Sequence, residues 1–199
     1  TSTVKTNDLS QILAPISLEF KALDEVIRLR LASKVALIDQ ISAYIIQAGG
    51  KAMAVVMDVV NEEAVNAGVQ QAVDKFGSID VLVNNVGDYR PMVAFEESSA
   101  DTWQRMYDIN LRHVFAVTRA FLPAMIEAGT GSIVNVHSVE GMRGFPRDPV
   151  YGAMKAAVAH FTTCLAVDVG RHGIRVNGIG TDSDGWHKFY KRMFLGYVI

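Results

Sequence analysis

A length of 199 residues, half of them hydrophobic, allows one domain with a sizeable core and leaves too little chain for two. The formal net charge of −2 argues against a nucleic-acid partner. No apolar run approaches the roughly 20 residues of a membrane span, so we expect no membrane partner and a cytoplasmic location. The one cysteine, Cys164, excludes a cysteine metal cluster, and no metal site is predicted. Cys164 lies in an apolar helical run, which predicts that its side chain is buried.

The first 48 residues follow no regular alternation of elements. Residues 1–33 predict an irregular or helical N-terminal segment, in which Leu18–Ala32 can form a helix. Lys34–Asp39, with the sequence KVALID, predicts a strand, and Ile41–Ala48 predicts a short helix.

From about residue 50 onward, short apolar runs rich in β-formers alternate with longer amphipathic runs. The strands are nearly continuous apolar runs, as burial on both faces of a parallel sheet demands. Such alternation predicts one α/β domain, residues 1–199, in which residues 182–199 form a tail or lid. The predicted strands are Ala52–Val59, Ile79–Asn84, Gly131–Val136 and Gly173–Ile179. The predicted helices run from an N-cap at Asn61 to Phe76 before Gly77, from Ser98 or Ser99 to about Ala128, and over Val150–Val169.

Tyr151 and Lys155 lie four residues apart on a predicted helix and therefore share one of its faces. A free tyrosine has a pKa of ~10, and a fixed cation nearby lowers that pKa because it favours the phenolate. A lowered pKa is what a tyrosine needs to exchange a proton with an alcohol or a ketone near neutral pH. A YxxxK pattern on its own is more often a packed tyrosine and a solvated lysine. The pair therefore predicts an active site only if other catalytic residues lie close to it.

Two further polar residues lie where the predicted fold would bring them towards this pair. Ser138 follows the strand GSIVNV, and open α/β sheets bind ligands at the carboxyl ends of their strands. Its hydroxyl could donate a hydrogen bond to a substrate oxygen. Asn110 interrupts the apolar stripe of a long helix and could hold a water beside Lys155. Taken singly, a serine after a strand is usually a turn residue, and a mid-helix asparagine is usually exposed or locally bonded.

Polar residues also end two other predicted strands. Asn84–Gly87 (NNVG) follows IDVLV, and its glycine lets the backbone approach a ligand closely. The asparagines can satisfy backbone groups of neighbouring strands. Asp58 ends AMAVVMDV and could accept a hydrogen bond from an adenine amino group. A surface carboxylate that caps the following turn is an equally good interpretation of Asp58.

Together these residues resemble the short-chain dehydrogenase/reductase family, of the type that includes 3-oxoacyl-carrier-protein reductases. The NNxG signature of that family corresponds to Asn84–Gly87, with Val86 where alanine is usual. The strand GIRVNGI resembles the family's sixth strand, so the likeness covers roughly Ala48 to Gly180. The catalytic tetrad corresponds, in order and spacing, to Asn110, Ser138, Tyr151 and Lys155.

The resemblance implies a role for each member of the tetrad. Tyr151 is then the general acid/base, and Lys155 lowers its pKa and binds the nicotinamide ribose. Ser138 orients the substrate carbonyl, and Asn110 anchors a proton-relay water. The resemblance also implies NAD or NADP as the cofactor, a small-molecule alcohol or ketone as the substrate, and a homo-oligomer, either a dimer or a tetramer. The residues expected to bind the cofactor are Asp58, Val59, Asn84, Asn85, Val86, Gly87, Tyr151 and Lys155.

The N-terminal half departs from the family. The family's cofactor loop, TGxxxGIG, follows its first strand, and its glycines let the backbone approach the pyrophosphate. The first glycine here is Gly49, so no earlier segment can be that loop. KVALID is then either the first strand, with the loop, its helix and the second strand missing, or it is the second strand. In the second case Asp39 would bind the adenine ribose and select NAD, but residues 1–15 are too polar to supply the first strand.

The C-terminal end departs as well. After Ile179 the family usually has a Pro-Gly pair, which Thr181 and Asp182 replace here. Beyond them there is room for one aromatic, basic helix or lid. His137 stands where a serine is common, and we expect it to be a satisfied polar neighbour of Ser138.

The expected fold is therefore a Rossmann-like doubly wound parallel α/β sheet, incomplete at the N-terminal half and at the C-terminus. One predicted function is an oxidoreductase that transfers a hydride between NAD(P) and a secondary alcohol or ketone. An alternative, supported by the missing glycines, is a degenerate or truncated relative with weak or no cofactor binding that acts as a binding or oligomerisation protein. A third and weaker hypothesis is that the aromatic segment Trp186–Tyr197 binds a partner or a membrane surface.

Overall fold

The computed structural model describes residues 28–30, 35–87, 93–147 and 149–181. A π-helical turn, Asp108–Arg112, joins two of its helices end to end. The strands are β1 (Arg28–Arg30), β2 (Ala54–Val56), β3 (Val81–Asn84), β4 (Gly131–Ser138) and β5 (Ile174–Thr181). The helices are α1 (Val35–Gln47), α2 (Glu62–Phe76), α3 (Ala100–Tyr107), α4 (His113–Ala128) and α5 (Pro149–Val169). Short 3-10 turns cover Phe95–Glu97, Val139–Gly141 and Gly170–His172.

Every strand pair formed within the described part of the chain is parallel. β1 pairs with β2, and β4 lies between β3 and β5. The register places Asn84 beside Asn135 and Ser138 beside Thr181, so the carboxyl ends of these three strands share one edge. Parallel strands connected by helices confirm the Rossmann-like α/β fold, and the short sheets agree with the incomplete sheet expected from the sequence.

The N-terminal predictions were largely wrong. Lys34–Asp39 was predicted as a strand, but Val35 begins helix α1, which continues to Gln47 and includes the predicted helix Ile41–Ala48 almost entirely. A short apolar run cannot by itself distinguish a strand from a helix, and here the longer pattern VALIDQISAYIIQ decides for the helix. Both readings of KVALID as a strand therefore fail, and Asp39 lies exposed on the helix.

Only three residues of the predicted helix Leu18–Ala32 are described, and they contradict it. Arg28–Arg30 is extended and pairs with Ala54–Val56. The other residues of that helix, like the polar segment 1–15 and the tail 182–199, lie outside the described residues.

Helix α2 begins and ends as its sequence predicts. The Asn61 side chain accepts a hydrogen bond from the Ala64 amide at 3.0 Å, which satisfies one free donor of the first turn. Glu62 and Glu63 occupy that turn, where the helix dipole favours negative charge. Gly77 ends the helix with φ of 83°, a conformation that other residues adopt at a cost.

The long helical segment from Ser99 to Ala128 is also present, but it is not a uniform α-helix. Ser99 caps α3 through a reciprocal pair of hydrogen bonds with Thr102. The π-helical turn then inserts an extra residue before α4 and buries Asn110 and Leu111. The predicted asparagine in mid-helix therefore points inward at the place where the helix widens.

The core lies between the strands and helices α2, α4 and α5. Val65 and Ala72 of α2 meet Phe121 and Met125 of α4, and Ile133 of β4 is fully buried beneath them. Burial on both strand faces was expected; among the described strands β4 has no exposed residue on either face, whereas β2, β3 and β5 are buried on one face only. Val56 is 56% exposed and Val83 is 46% exposed.

Helix α5 packs against β4 and β5 through a face that includes Thr162 and Leu165. Cys164 was predicted to be buried, but it is exposed because those two neighbours occupy the inward side of the helix. Its Sγ lies 3.5 Å from His160 Nε2 on the outer side. By length and composition alone, Pro149–His172 could cross a membrane, contrary to our reading of the sequence, although core helices meet the same criterion.

Candidate active site

Tyr151 and Lys155 share one face near the start of α5, as their spacing predicts. The Lys155 side chain is buried, and its Nζ donates a hydrogen bond to the Val136 carbonyl at 3.3 Å. The same Nζ lies 5.7 Å from the centre of the Tyr151 ring. Burial lowers the pKa of Lys155 from 10.5 to about 8, because a charged ammonium loses hydration inside the protein. At neutral pH the tyrosine ring therefore lies beside a buried cation.

Ser138 is the last residue of β4 and is almost completely buried. Its Oγ accepts a hydrogen bond from the Glu140 amide at 3.2 Å and donates one to the Thr181 carbonyl at 3.4 Å. These bonds fix the hydroxyl at the carboxyl edge of the sheet, two residues beyond the carbonyl that accepts from Lys155.

Two glycines allow the turn after Ser138 to pack closely against helix α5. A Cβ on Gly141 would lie 2.6 Å from the Ala156 backbone nitrogen, and a Cβ on Gly152 would lie 2.9 Å from the Glu140 carbonyl oxygen. Side chains at either position would separate the turn from the helix. The close approach keeps Ser138 at the same end of the molecule as the tyrosine and the lysine.

Asn110 joins this group from the π-helical turn, where it is fully buried. Its Nδ2 lies 3.5 Å from Met106 Sδ. A Cβ on Gly87 would lie 3.0 Å from Asn110 Oδ1 and 2.9 Å from Lys155 Nζ. Three segments that are distant in sequence therefore meet around one glycine. The predicted Asn110, Lys155 and Gly87 form one cluster.

A groove runs along β3, and part of the predicted cofactor set lines it. Val59 and Asn84–Val86 line it, together with Val117. Asp58 is not among its lining residues. The carboxylate of Asp58 accepts a hydrogen bond from the Val60 amide at 3.0 Å and caps the turn after β2, which was the second interpretation of this residue.

Asn84 makes side-chain contacts instead of the expected bonds to neighbouring backbone. Its Nδ2 donates to Thr118 Oγ1 at 3.0 Å and to Asn135 Oδ1 at 2.8 Å. Asn135 Nδ2 donates in turn to Thr162 Oγ1 at 2.9 Å. This buried chain of polar groups ties β3 and β4 to helices α4 and α5 beneath the site.

His113, which the sequence analysis overlooked, lines the same groove. It is 1% exposed, and within the described part of the chain neither of its ring nitrogens has a hydrogen-bond partner of normal geometry. Burial, with a smaller contribution from the Lys155 ammonium, lowers the pKa of His113 to about 4, and backbone groups at Asp108 and Val86 oppose this shift. The sequence offered one indication that His113 lies near the site, since it follows Asn110 by one helical turn.

His137 is the satisfied neighbour of Ser138 that we expected. Its Nδ1 lies 3.3 Å from the Ser138 carbonyl oxygen. The ring packs over Gly178 and Gly180 of β5, where an added Cβ would approach it to 3.1 and 3.0 Å. Desolvation by burial lowers the pKa of His137.

These residues fit part of a nicotinamide dinucleotide. The close backbone at Gly87, the buried cation of Lys155 and the groove at Asn84–Val86 suit its ribose and adenosine parts. The pyrophosphate has no glycine-rich loop ahead of Gly49, and Gly49 itself lies in the turn after α1 with φ of 85°.

The chain matches the family model described as short chain dehydrogenase over residues 19–183. It is 39% identical over 141 residues to a 3-oxoacyl-[acyl-carrier-protein] reductase of Synechocystis sp., a match that covers 71% of this chain and 57% of the relative. It is 41% identical over 140 residues to a 3beta-hydroxysteroid dehydrogenase of Mediterraneibacter gnavus, covering 69% of this chain and 50% of the relative. The crystal structure of NAD+-bound xylitol dehydrogenase matches with a TM-score of 0.72 at 33% identity, over 76% of this chain and 58% of that one.

The chain thus spans between 50% and 58% of the length of these relatives. Within that span the match extends over most of the chain and includes both the parallel sheet and the cluster around Gly87. The chain belongs to the short-chain dehydrogenase family.

Proposed function

We propose that this protein is an oxidoreductase that exchanges a hydride between NAD(P) and a small secondary alcohol or ketone. The observation that carries the proposal is the cluster of Asn110 and Lys155 around Gly87, with Tyr151 on the same helix face as the lysine. The alcohol and steroid dehydrogenases among its relatives support the class of substrate. Neither the particular substrate nor the choice between NAD and NADP is part of the proposal.

In this mechanism Tyr151 is the proton donor for carbonyl reduction. Its hydroxyl proton moves to the carbonyl oxygen while the carbonyl carbon gains a hydride, and the alcohol forms. The phenolate left behind is stabilised by Lys155, which is charged below its pKa of about 8. Ser138 donates a hydrogen bond that orients the carbonyl, and Asn110 holds the water that returns a proton to the tyrosine.

The cofactor would be held along the carboxyl edge of the sheet. Lys155 and Tyr151 would contact its nicotinamide ribose, and Val59 with Asn84–Gly87 would contact the adenosine part. Asp58 stays in the proposed set, on condition that its carboxylate leaves the Val60 amide. The bound nicotinamide supplies or accepts the hydride.

The test is a fluorescence titration with NADH and with NADPH, followed by assays of carbonyl reduction. We expect enhanced nicotinamide fluorescence with at least one cofactor. Tyr151→Phe should then abolish reduction and leave cofactor affinity nearly unchanged, because it removes only the hydroxyl. A lack of enhancement at high protein concentration would overturn the proposal. Full activity in the variant would remove Tyr151 from the mechanism.

A second candidate is a family relative that binds cofactor weakly or not at all and acts as a binding or oligomerisation protein. The observation that favours it is the absence of any glycine before Gly49, since backbone contacts to the pyrophosphate are a main source of dinucleotide affinity. The same titration separates the two candidates. An unchanged melting temperature at millimolar NAD(P)H would favour the second.

We also propose that the protein forms a homo-oligomer, a dimer or a tetramer. Helices α4 and α5 carry exposed apolar side chains, with Val167 82% exposed and Phe115 38% exposed. Association of two copies through these helices would remove that surface from water. Light scattering that gives the mass of one chain would contradict this.

A further inference from the structure

A second pocket, open to solvent, has Tyr151 in its wall. Its other lining residues include Phe95, Trp103, Met106 and Arg147, which lies four residues before the tyrosine. The pocket therefore combines an apolar wall and one cation with the residue to which we assign the proton transfer. A substrate whose carbonyl contacts the tyrosine could extend its remaining atoms into this space.

Arg147 has a backbone conformation that is unusual for an exposed surface arginine. Its φ is 61°, in the left-handed region, and no other non-glycine residue of the described segments has a positive φ. A side chain in this region is strained, and such strain persists where the surroundings enforce it, often at ligand sites. Glycine would relieve the strain but would provide no guanidinium.

Arg147 forms an ion pair with Glu97 that is weak enough for a ligand to replace the glutamate. Its Nη2 lies 3.4 Å from Glu97 Oε2, and both side chains are 59% exposed. Exposed pairs of this kind contribute little to stability because water screens them. A carboxylate on a ligand could take the place of Glu97 and form two parallel hydrogen bonds with the guanidinium.

The aromatic part of the lining is apolar and held in place. The rings of Phe95 and Trp103 stack with their centres 5.6 Å apart and their planes within 3°. Trp103 Nε1 donates to Ser98 Oγ at 2.7 Å, and Ser98 Oγ donates to the Phe95 carbonyl at 2.6 Å. This wall suits a flat or cyclic apolar group.

We propose that this pocket selects substrates whose apolar body carries a carboxylate, and that Arg147 is the residue that recognises the carboxylate. The proposal rests on the proposed function, because it places the substrate carbonyl at Tyr151. It makes Glu97 a competitor that occupies the guanidinium in the absence of substrate.

The test compares 4-acetylbenzoate with its methyl ester as ketone substrates. Arg147→Gly should raise KM for the acid by about tenfold, as loss of a charge-assisted hydrogen bond does, and should leave KM for the ester unchanged. Its melting temperature should stay the same or rise, since glycine relieves the strain at this φ. Glu97→Gln should lower KM for the acid. Arg143→Gln is the matched control, because Arg143 is an exposed arginine of the same loop that does not line the pocket.

Calorimetric binding of 4-acetylbenzoate keeps this test independent of turnover. If neither ketone is reduced, weaker binding of the acid to Arg147→Gly would still support the pocket, and the proposed function stands or falls on the cofactor titration. Equal effects of Arg147→Gly on acid and ester, or a loss of acid binding in Arg143→Gln as large as in Arg147→Gly, would overturn the assignment. Absence of acid binding to the wild-type protein would overturn it as well.

Discussion

Gly87 lies so close to Lys155 that a Cβ on the glycine would approach the lysine Nζ to 2.9 Å. The third member of the contact, Asn110 Oδ1, would be 3.0 Å away. The backbone at Gly87 can therefore meet the two buried polar groups only because it carries no side chain. This contact joins the end of β3 to the helices that carry the predicted catalytic residues.

The first prediction concerns Gly87→Ala. The methyl group should displace the flexible tip of Lys155, and the fully buried Asn110 has less freedom to move. We expect cofactor affinity and turnover to fall by about tenfold, which corresponds to ~1.4 kcal/mol. The fold should survive, as circular dichroism would verify. Gly170→Ala is the control, since nothing lies within 4 Å of a Cβ there. Equal behaviour of the two variants would contradict the role of the contact.

The second prediction concerns Lys155→Met. The folded protein holds the ammonium with a pKa of about 8, against 10.5 when exposed, so at pH 7 the buried charge costs stability. Methionine should raise the free energy of unfolding by about 1–3 kcal/mol while abolishing activity. Lys51→Met, at an exposed position, should change stability little.

The sign of the pH dependence makes this prediction specific. Between pH 8 and pH 10.5 the unfolded chain binds a proton at Lys155 that the folded protein has released, so wild-type stability should rise with pH. The advantage of Lys155→Met should shrink across that window in urea denaturation curves. A constant difference would show that the lysine is not desolvated as described.

The third prediction concerns acid stability and His113. Because the folded pKa is about 4 and the ordinary value is 6.5, the unfolded state takes up a proton first as the pH falls. Wild-type stability should therefore decrease by roughly 3 kcal/mol between pH 6.5 and pH 4 through this residue. His113→Leu should flatten that part of the profile, whereas His160→Gln, at an exposed histidine, should not. Parallel profiles for wild type and His113→Leu would refute the assignment.

The fourth prediction concerns the polar chain under the sheet edge. Asn135→Leu leaves the Asn84 amide and the Thr162 hydroxyl each without one buried partner. We expect a loss of about 2–4 kcal/mol in urea unfolding. Asn177→Leu, at an exposed position on β5, is the control. A double-mutant cycle with Thr162→Val should give a coupling of about 1 kcal/mol, and strict additivity would mean that the two residues act separately.

Several residues predicted from sequence to form a site come together, although Asp58 does not, for physical reasons that sequence can carry. The i, i+4 spacing of Tyr151 and Lys155 fixes a common face, and parallel strands bring Asn84 and Ser138 to one edge. The catalytic roles of these residues stay predictions.

Other features depend on tertiary packing that no local pattern specifies. The strand predicted at Lys34–Asp39 became helix because its apolar run belonged to a longer helical pattern. Cys164 is exposed because the neighbouring turns of α5 decide which side faces the sheet. His113 is buried directly after a π-helical turn, and although it lies one turn after Asn110 in sequence, that spacing does not predict the turn.

That turn has a consequence for how this protein can vary in length. A π-helical turn accommodates one residue more than an α-helical turn. Deleting one residue of Asp108–Arg112 would therefore restore an ordinary helix and leave α3 and α4 facing nearly the same sides, so that Trp103 and Met106 would stay in the wall beside Tyr151. Asn110 lies within the turn, and its inward position would be lost. Homologous chains that lack one residue here should keep the pocket wall and lose the buried amide.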